Sequence, residues 1–157
     1  MYPAPPPLSA KETLYRETVE AAADRIGAQY LAMVEQLREA TADDDPRAPL
    51  TAAARCLLQA FSAEDAHAVR QLASAQAAPF PDLAASVRER TSLRVRSALA
   101  DRLTRLILTR RLRASDPELA AEHFLSLLTG PPEYRPDADP DTVADTATDV
   151  FLRAYGR

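Results

Sequence analysis

Cysteine is almost missing from this 157-residue chain. Cys56 stands alone, so no internal disulfide and no cysteine-based zinc site can be built. Next to the Leu57-Leu58 pair it reads as inert core. Glycine is nearly as scarce: Gly27, Gly130 and Gly156 are the only ones, and they are too far apart to form a phosphate-cradling loop. His67 and His123 are the only histidines, and neither has a partner at the spacing of a metal site or a catalytic base. His67 falls opposite the apolar stripe of its helix, on the solvent side. Lysine occurs once, as Lys11, among 19 basic residues, a bias that suits a GC-rich bacterial genome. Net charge is −4 with a pI near 5.2, which gives no overall basic footprint for nucleic acid. No apolar run is long enough to span a bilayer, and the start has no signal-peptide pattern. The expectation is a soluble cytoplasmic protein, not an enzyme, with no cofactor and no metal.

What is present is helical periodicity, with no strand-like alternation anywhere. Residues 1–8, with Pro5-Pro6-Pro7, form an extended arm, because proline removes donors and fixes φ. Ser9 and Glu12 then make a capping box. Leu14, Thr18, Ala22, Ile26, Tyr30, Met33 and Leu37 predict one long helix over 10–40. In that helix Gly27 costs about 1 kcal/mol relative to alanine. Asp43-Asp44-Asp45 lacks the glycine and distal glutamate of a calcium loop, so it reads as an acidic cap for a helix over 47–61. Another helix runs from 65 to 78, and Pro79-Phe80-Pro81-Asp82 breaks the chain. A long helix over 82–112 carries Leu83, Val87, Val95, Leu99, Leu103, Leu106 and Ile107. Its arginines from 88 to 113 are spread around the helix, not gathered on one face, and no aromatic residues interleave with them. A solvated, salt-bridged surface follows. Asp116 and Pro117 open a helix over 116–129 that Gly130-Pro131-Pro132 should end. Asp139 and Pro140 open the last one, over 140–155.

Several of these segments resemble one family. Asp116-Pro-Glu-Leu-Ala-Ala-Glu-His-Phe-Leu-Ser-Leu-Leu-Thr-Gly130, followed by a last helix ending Phe151-Leu-Arg-Ala-Tyr155, is similar to the end of the regulatory domain of TetR-family transcriptional repressors, in particular the AefR-like branch. Arg70-Gln-Leu-Ala-Ser-Ala-Gln76 and Phe80-Pro-Asp-Leu83 resemble the family's middle segments, with Gln76 departing at an acidic position. Ser9-Ala-Lys-Glu-Thr-Leu14 resembles the start of the helix that links the DNA-binding part to the regulatory core. The resemblance implies an all-α, TetR-like C-terminal ligand-binding and dimerisation bundle of about six helices. Its parts would be a proline-rich arm over 1–8 and a regulatory domain over 9–157. Within that domain the linking helix is 10–40, the ligand-core helices 47–112, and the dimerisation helices 116–129 and 140–155.

Eight proline-rich residues cannot supply a recognition helix. The chain is therefore expected to lack the family's DNA-binding module and to reach DNA only if a helix-turn-helix lies upstream of Met1. The expected function is an effector-binding, homodimerising regulator core. The alternative is a helical interaction protein that heterodimerises with a full-length regulator. The resemblance places an unknown small apolar or aromatic effector among Tyr30, Met33, Leu57, Phe61, Gln76, Phe80, Arg96 and Leu103. Gln76 and Arg96 are polar groups on apolar stripes and would orient the ligand; the alternative is a backbone-bonded Gln76 and an Arg96 that snorkels to water. The dimer face would be Leu119, Phe124, Leu127 and Leu128 with Val143, Val150 and Phe151, and His123 would sit at its rim.

Overall fold

A computed structural model of the chain describes residues 3–4, 6–35, 37 and 45–157. Tyr2, Asp43, Asp44 and the end of the expected linking helix (36 and 38–40) lie outside the described residues. The helices are α1 (Ala10–Glu35), α2 (Arg47–Ser62), α3 (Glu64–Ala75), α4 (Pro81–Arg88), α5 (Arg94–Leu108), α6 (Pro117–Tyr134) and α7 (Pro140–Tyr155). A π-helical turn, Glu89–Leu93, joins α4 to α5 as one rod, so the described residues make six rods. Among them there is no β-strand and no helix long and apolar enough to cross a membrane.

Local chemistry sets most of the boundaries. Glu12 Oε2 accepts from the Ser9 N–H at 2.8 Å, and Ser9 Oγ accepts from the Glu12 N–H at 3.2 Å. Each side chain thus satisfies a donor that the first turn would leave orphaned. Asp116 caps α6 by accepting from the N–H groups of Glu118 (2.9 Å) and Leu119 (3.4 Å). Asp139 caps α7 by accepting from the Thr142 N–H and hydroxyl, at 2.9 and 2.7 Å. Asp45 accepts from the Arg47 N–H at 3.0 Å.

Two helix ends depart from expectation. The long rod stops at Leu108 because Arg110 adopts φ 60°. The Arg110 N–H donates to the Ile107 carbonyl (3.0 Å) and the Arg111 N–H to the Leu106 carbonyl (2.9 Å), which is a Schellman turn with arginine at the usual glycine position. The turn is latched to the end of α7, where the Arg113 N–H donates to the Tyr155 carbonyl (2.8 Å) and Arg113 Nε to the Gly156 carbonyl (2.7 Å). In contrast, α6 does not stop at Gly130. It runs through Pro131 and Pro132 to Tyr134, and Gly130 has no positive φ. A residue before proline avoids the α region partly because its Cβ meets the ring; glycine has no Cβ, and the helix passes. Termination waits for Arg135, which precedes Pro136 and adopts φ −139°, ψ 82°.

The core has two parts. The larger joins the second half of α1 to α2, α5, α6 and α7, through Leu50, Leu57, Leu99, Leu103, Phe124, Leu128 and Phe151, all at most 1% exposed. Phe124 and Phe151 meet edge to face at 5.0 Å, and Phe151 stacks on Tyr155 at 4.8 Å. The smaller joins the first half of α1 to α4 through Val19, Ala23, Leu83 and Val87. The buried stripe of α1 is therefore Val19, Ala23, Ile26, Tyr30 and Val34. Leu14 and Thr18, expected inside, are exposed.

On the long rod, Leu83, Val87, Thr91, Val95, Leu99 and Leu103 are buried, each four residues after the last. In an unbroken α-helix that spacing drifts by about 40° per step. The wider π turn takes up drift midway and keeps both halves facing inward. The Thr91 hydroxyl bonds back to the Val87 carbonyl at 2.8 Å, a contact that perturbs helices locally. Gly27 packs directly on this turn: a Cβ there would overlap the Arg90 carbonyl oxygen and lie 3.2 Å from its carbon. Around that crossing Arg90 pairs with Asp24 (2.6 Å) and Glu20 (3.6 Å), and the Ser86 hydroxyl donates to Glu20 (2.8 Å).

Candidate ligand cavity

Between the two core regions lies a cavity of about 520 Å³, within the range of small-molecule sites. Five segments wall it. Ile26 and Tyr30 come from α1, Leu58 and Phe61 from α2, and Ala66, Val69 and Arg70 from α3. The π turn adds Thr91, Ser92 and Leu93, and α6 closes the far side with Glu122, Leu125, Ser126, Leu128 and Thr129. Val87, Val95 and Arg96 fill the gaps along the long rod.

Most of this wall is apolar, and the polar groups fall into two sets. In the first, Arg70 donates to the Phe61 carbonyl at 2.6 Å, near the C-terminus of α2, where carbonyls lack helical partners. It also donates to the Tyr30 hydroxyl at 3.4 Å. Tyr30 is buried, with its ring edge-on to Phe61 at 4.9 Å. Burial pushes its phenol above the ordinary range, while the charge of Arg70 and the hydrogen bond from it pull the other way. The phenol stays protonated near neutral pH and can donate.

The second set is Arg96, Glu118 and Glu122. Arg96 Nε lies 3.2 Å from Glu118 and Nη1 lies 3.8 Å from Glu122. The Nε contact lacks hydrogen-bond geometry, which leaves a buried N–H without an acceptor. Arg96 thus lines the cavity and at the same time ties the long rod to α6.

Three of the eight expected ligand residues line the cavity: Tyr30, Phe61 and Arg96. Leu57 and Leu103 are too deep, at 0% exposure inside the larger core. Met33 packs on that same core, half-buried. Phe80 packs on the smaller core. Gln76 sits at the C-cap of α3, its carbonyl accepting from the Phe80 N–H at 2.8 Å. His67, placed in solvent from its helix face, is exposed and stands at the cavity mouth, 3.0 Å from Gln71. Arg70, which the sequence marks only as the start of a family-like segment, and Thr91 and the α6 residues of the wall are not among the expected ligand residues. A constant spacing of four along the rod was the available sign of the π turn that brings Thr91 inward.

The expected dimer face needs a sharper correction. Phe124, Leu128, Val143 and Phe151 are at most 4% exposed within one chain. They bind α6 and α7 to each other and to the rest of the core, and so offer nothing to a second copy. Leu119 and Val150 remain outside, at 47% and 43% exposure, with Leu127 half-buried. His123 is exposed and lies 2.6 Å from the Tyr155 hydroxyl. Among the described residues no cluster of three His, Cys, Asp or Glu could hold a metal. Cys56 is half-buried.

A sequence model of the AefR-like transcriptional repressor C-terminal domain matches residues 48–157. The chain belongs to this family. The AefR-like match begins inside α2 and runs through α7, so it takes in every cavity wall except Ile26 and Tyr30 of α1. A crystal structure assigned as a TetR-family transcriptional regulator from Mesorhizobium loti MAFF303099 has the same fold. Its TM-score is 0.82, over 94% of this AefR-like chain and 76% of that one, at 24% identity. The coverage extends the likeness in fold to α1. No curated protein sequence matches.

Proposed function

We propose that this chain is the effector-binding and dimerising core of a TetR-type transcriptional regulator. The observation that carries the ligand reading is the cavity itself: apolar walls, a few convergent polar groups, and two neighbouring segments that reach α1. A molecule in the cavity touches Thr91, Ser92 and Leu93, and the same turn packs on Gly27 of α1. Ligand binding would therefore bias the position of the helix that, in the family, leads to the DNA-reading part. A thermal-shift screen of a small-molecule library tests the reading, with Ala66→Phe as a cavity-filling variant. Hits that stabilise the wild type and fail on Ala66→Phe are expected. A library with no cavity-dependent hit counts against it.

For dimerisation the supporting observation is the outer stripe left by the internal core. Leu119 and His123 on α6, followed by the half-buried Leu127, and Thr146, Val150 and Ala154 on α7 recur at spacings of four, and all but Leu127 are exposed. A self-complementary two-fold contact would cover them. Light scattering coupled to size exclusion should report twice the chain mass of 17.1 kDa. Val150→Asp should return a folded monomer. A wild type that is monomeric at micromolar concentration removes the dimer.

A further inference from the structure

The two arginines on the cavity wall are not equivalent. Arg96 already faces two carboxylates, Glu118 and Glu122. Among the described residues Arg70 has no carboxylate within pairing distance; its partners are a backbone carbonyl and a phenol, both neutral. Those two bonds also hold it in place. A guanidinium has five N–H donors, so three remain. Beside it, Tyr30 accepts from Arg70, and no other described group receives its own proton. Arg70 is exposed at the rim and Tyr30 is buried within, so the cavity presents a cation held by two hydrogen bonds and an unused hydroxyl donor side by side, over walls of Ile26, Leu58, Phe61 and Val69.

We propose that the cavity selects a carboxylic acid with an apolar or aromatic body, its carboxylate received by Arg70 and Tyr30 together. The assignment rests on the reading of this cavity as an effector site. A carboxylate matches a guanidinium in shape and in charge, and charge-assisted hydrogen bonds of this kind are about twice as strong as neutral ones. It also gives the phenol an acceptor. An amine would meet Arg70 with like charge, and an alcohol would leave that charge unneutralised. Glu122 would repel an anion, but it lies on α6, with Arg96 Nη1 3.8 Å away to offset its charge. The carboxylate end therefore points toward α1 and α3, and the apolar body toward Val87, Val95 and Leu125.

Calorimetry with matched series tests the assignment. The acids are octanoate, decanoate, 4-phenylbutyrate and 2-naphthylacetate, each paired with the alcohol and the amine of the same body. At least one acid should bind at least tenfold more tightly than its alcohol, with its amine weaker still. Arg70→Gln should abolish that preference, bringing each acid within twofold of its alcohol. Tyr30→Phe should weaken the acid severalfold, and Arg94→Gln, a charge on the rod outside the cavity lining, should change nothing. Equal loss of acid and alcohol in Arg70→Gln, with the fold intact by circular dichroism, would overturn the assignment by reducing Arg70 to a scaffold residue. Absence of binding by all four acids at millimolar concentration overturns it too. Preferential binding of an alcohol or amine, blocked by Ala66→Phe, refutes the acid and keeps the cavity as a ligand site. A cavity that takes none of the series and no library compound loses both readings.

Discussion

Replacing Gly27 by alanine sets two well-calibrated effects against each other. In an open helix the change stabilises, because alanine is favoured over glycine by about 1 kcal/mol. Here the added methyl would fall on the Arg90 carbonyl oxygen, with the carbonyl carbon at 3.2 Å. The obstacle is backbone, so no rotamer change can relieve it. Either α1 lifts away from the π turn or the turn rewinds. Over-packing costs typically about 1–3 kcal/mol, and the depth of this overlap places it near 3. Subtracting the helix gain leaves a net loss of about 2 kcal/mol, or a drop in Tm of about 4–8 °C for a chain of this size. Calorimetric melting of the two proteins at one pH and one concentration gives the answer. A Gly27→Ala protein that melts at or above the wild-type temperature would mean that α1 and the turn do not touch there, and would remove the proposed route from cavity to α1.

Arg110 sits in the left-handed region that costs an L-residue about 1–2 kcal/mol; Arg110→Gly should raise stability by up to about 1 kcal/mol after glycine's own entropic penalty, read as a higher urea midpoint. Phe151→Ala should cost about 3–5 kcal/mol at any protein concentration, because its ring packs within one chain. Val150→Asp, one residue away, should leave single-chain stability nearly unchanged and act only on association; the reverse outcome would put Phe151 back in an interface. The carboxyls of Glu12, Asp139 and Asp149 are all held below their ordinary range, by hydrogen bonds from Ser9, from Thr142, and from the Arg47 guanidinium respectively. Groups with a lowered folded pKa bind fewer protons folded than unfolded, so their contribution is present above about pH 4 and fades as pH falls through the lowered values. Urea midpoints should fall below pH 4, and Asp139→Asn, which keeps a capping oxygen, should flatten that fall.

Features whose cause is local could be read from the residues alone. Ser9 with Glu12, Asp116 with Pro117, and Asp139 with Pro140 each carry their own hydrogen-bonding logic within four positions, and all three mark helix starts. The stripe of α1 was harder. Alanines at 21, 22 and 23 let the apolar pattern be drawn in either of two phases, and only α4, packing on Val19 and Ala23, decides between them. Gly27 looked like a tolerated cost because its reason is a carbonyl more than sixty residues away. The cavity was the least legible feature, since its walls come from five segments and its edge from a helical irregularity. Phe124 and Phe151 are expected on a dimer face because they mark apolar stripes; they are buried within one chain, and periodicity cannot tell an internal partner from a second copy.

The π turn holds one residue more than an α-helix would place over the same stretch, so it is the one point where the long rod can change length without re-aiming its ends. Removing one residue between Glu89 and Leu93 would restore plain α geometry, with Leu83 and Val87 on one side and Val95, Leu99 and Leu103 on the other still facing the core. What would go is the widened turn itself, which carries Thr91 and Ser92 into the cavity wall and sets the Arg90 carbonyl against Gly27. A one-residue gap elsewhere in the rod has no bulge to absorb it and turns the later half by about 100°. When relatives of this chain are aligned, a single-residue gap between 89 and 93 therefore marks a changed cavity wall within an unchanged core.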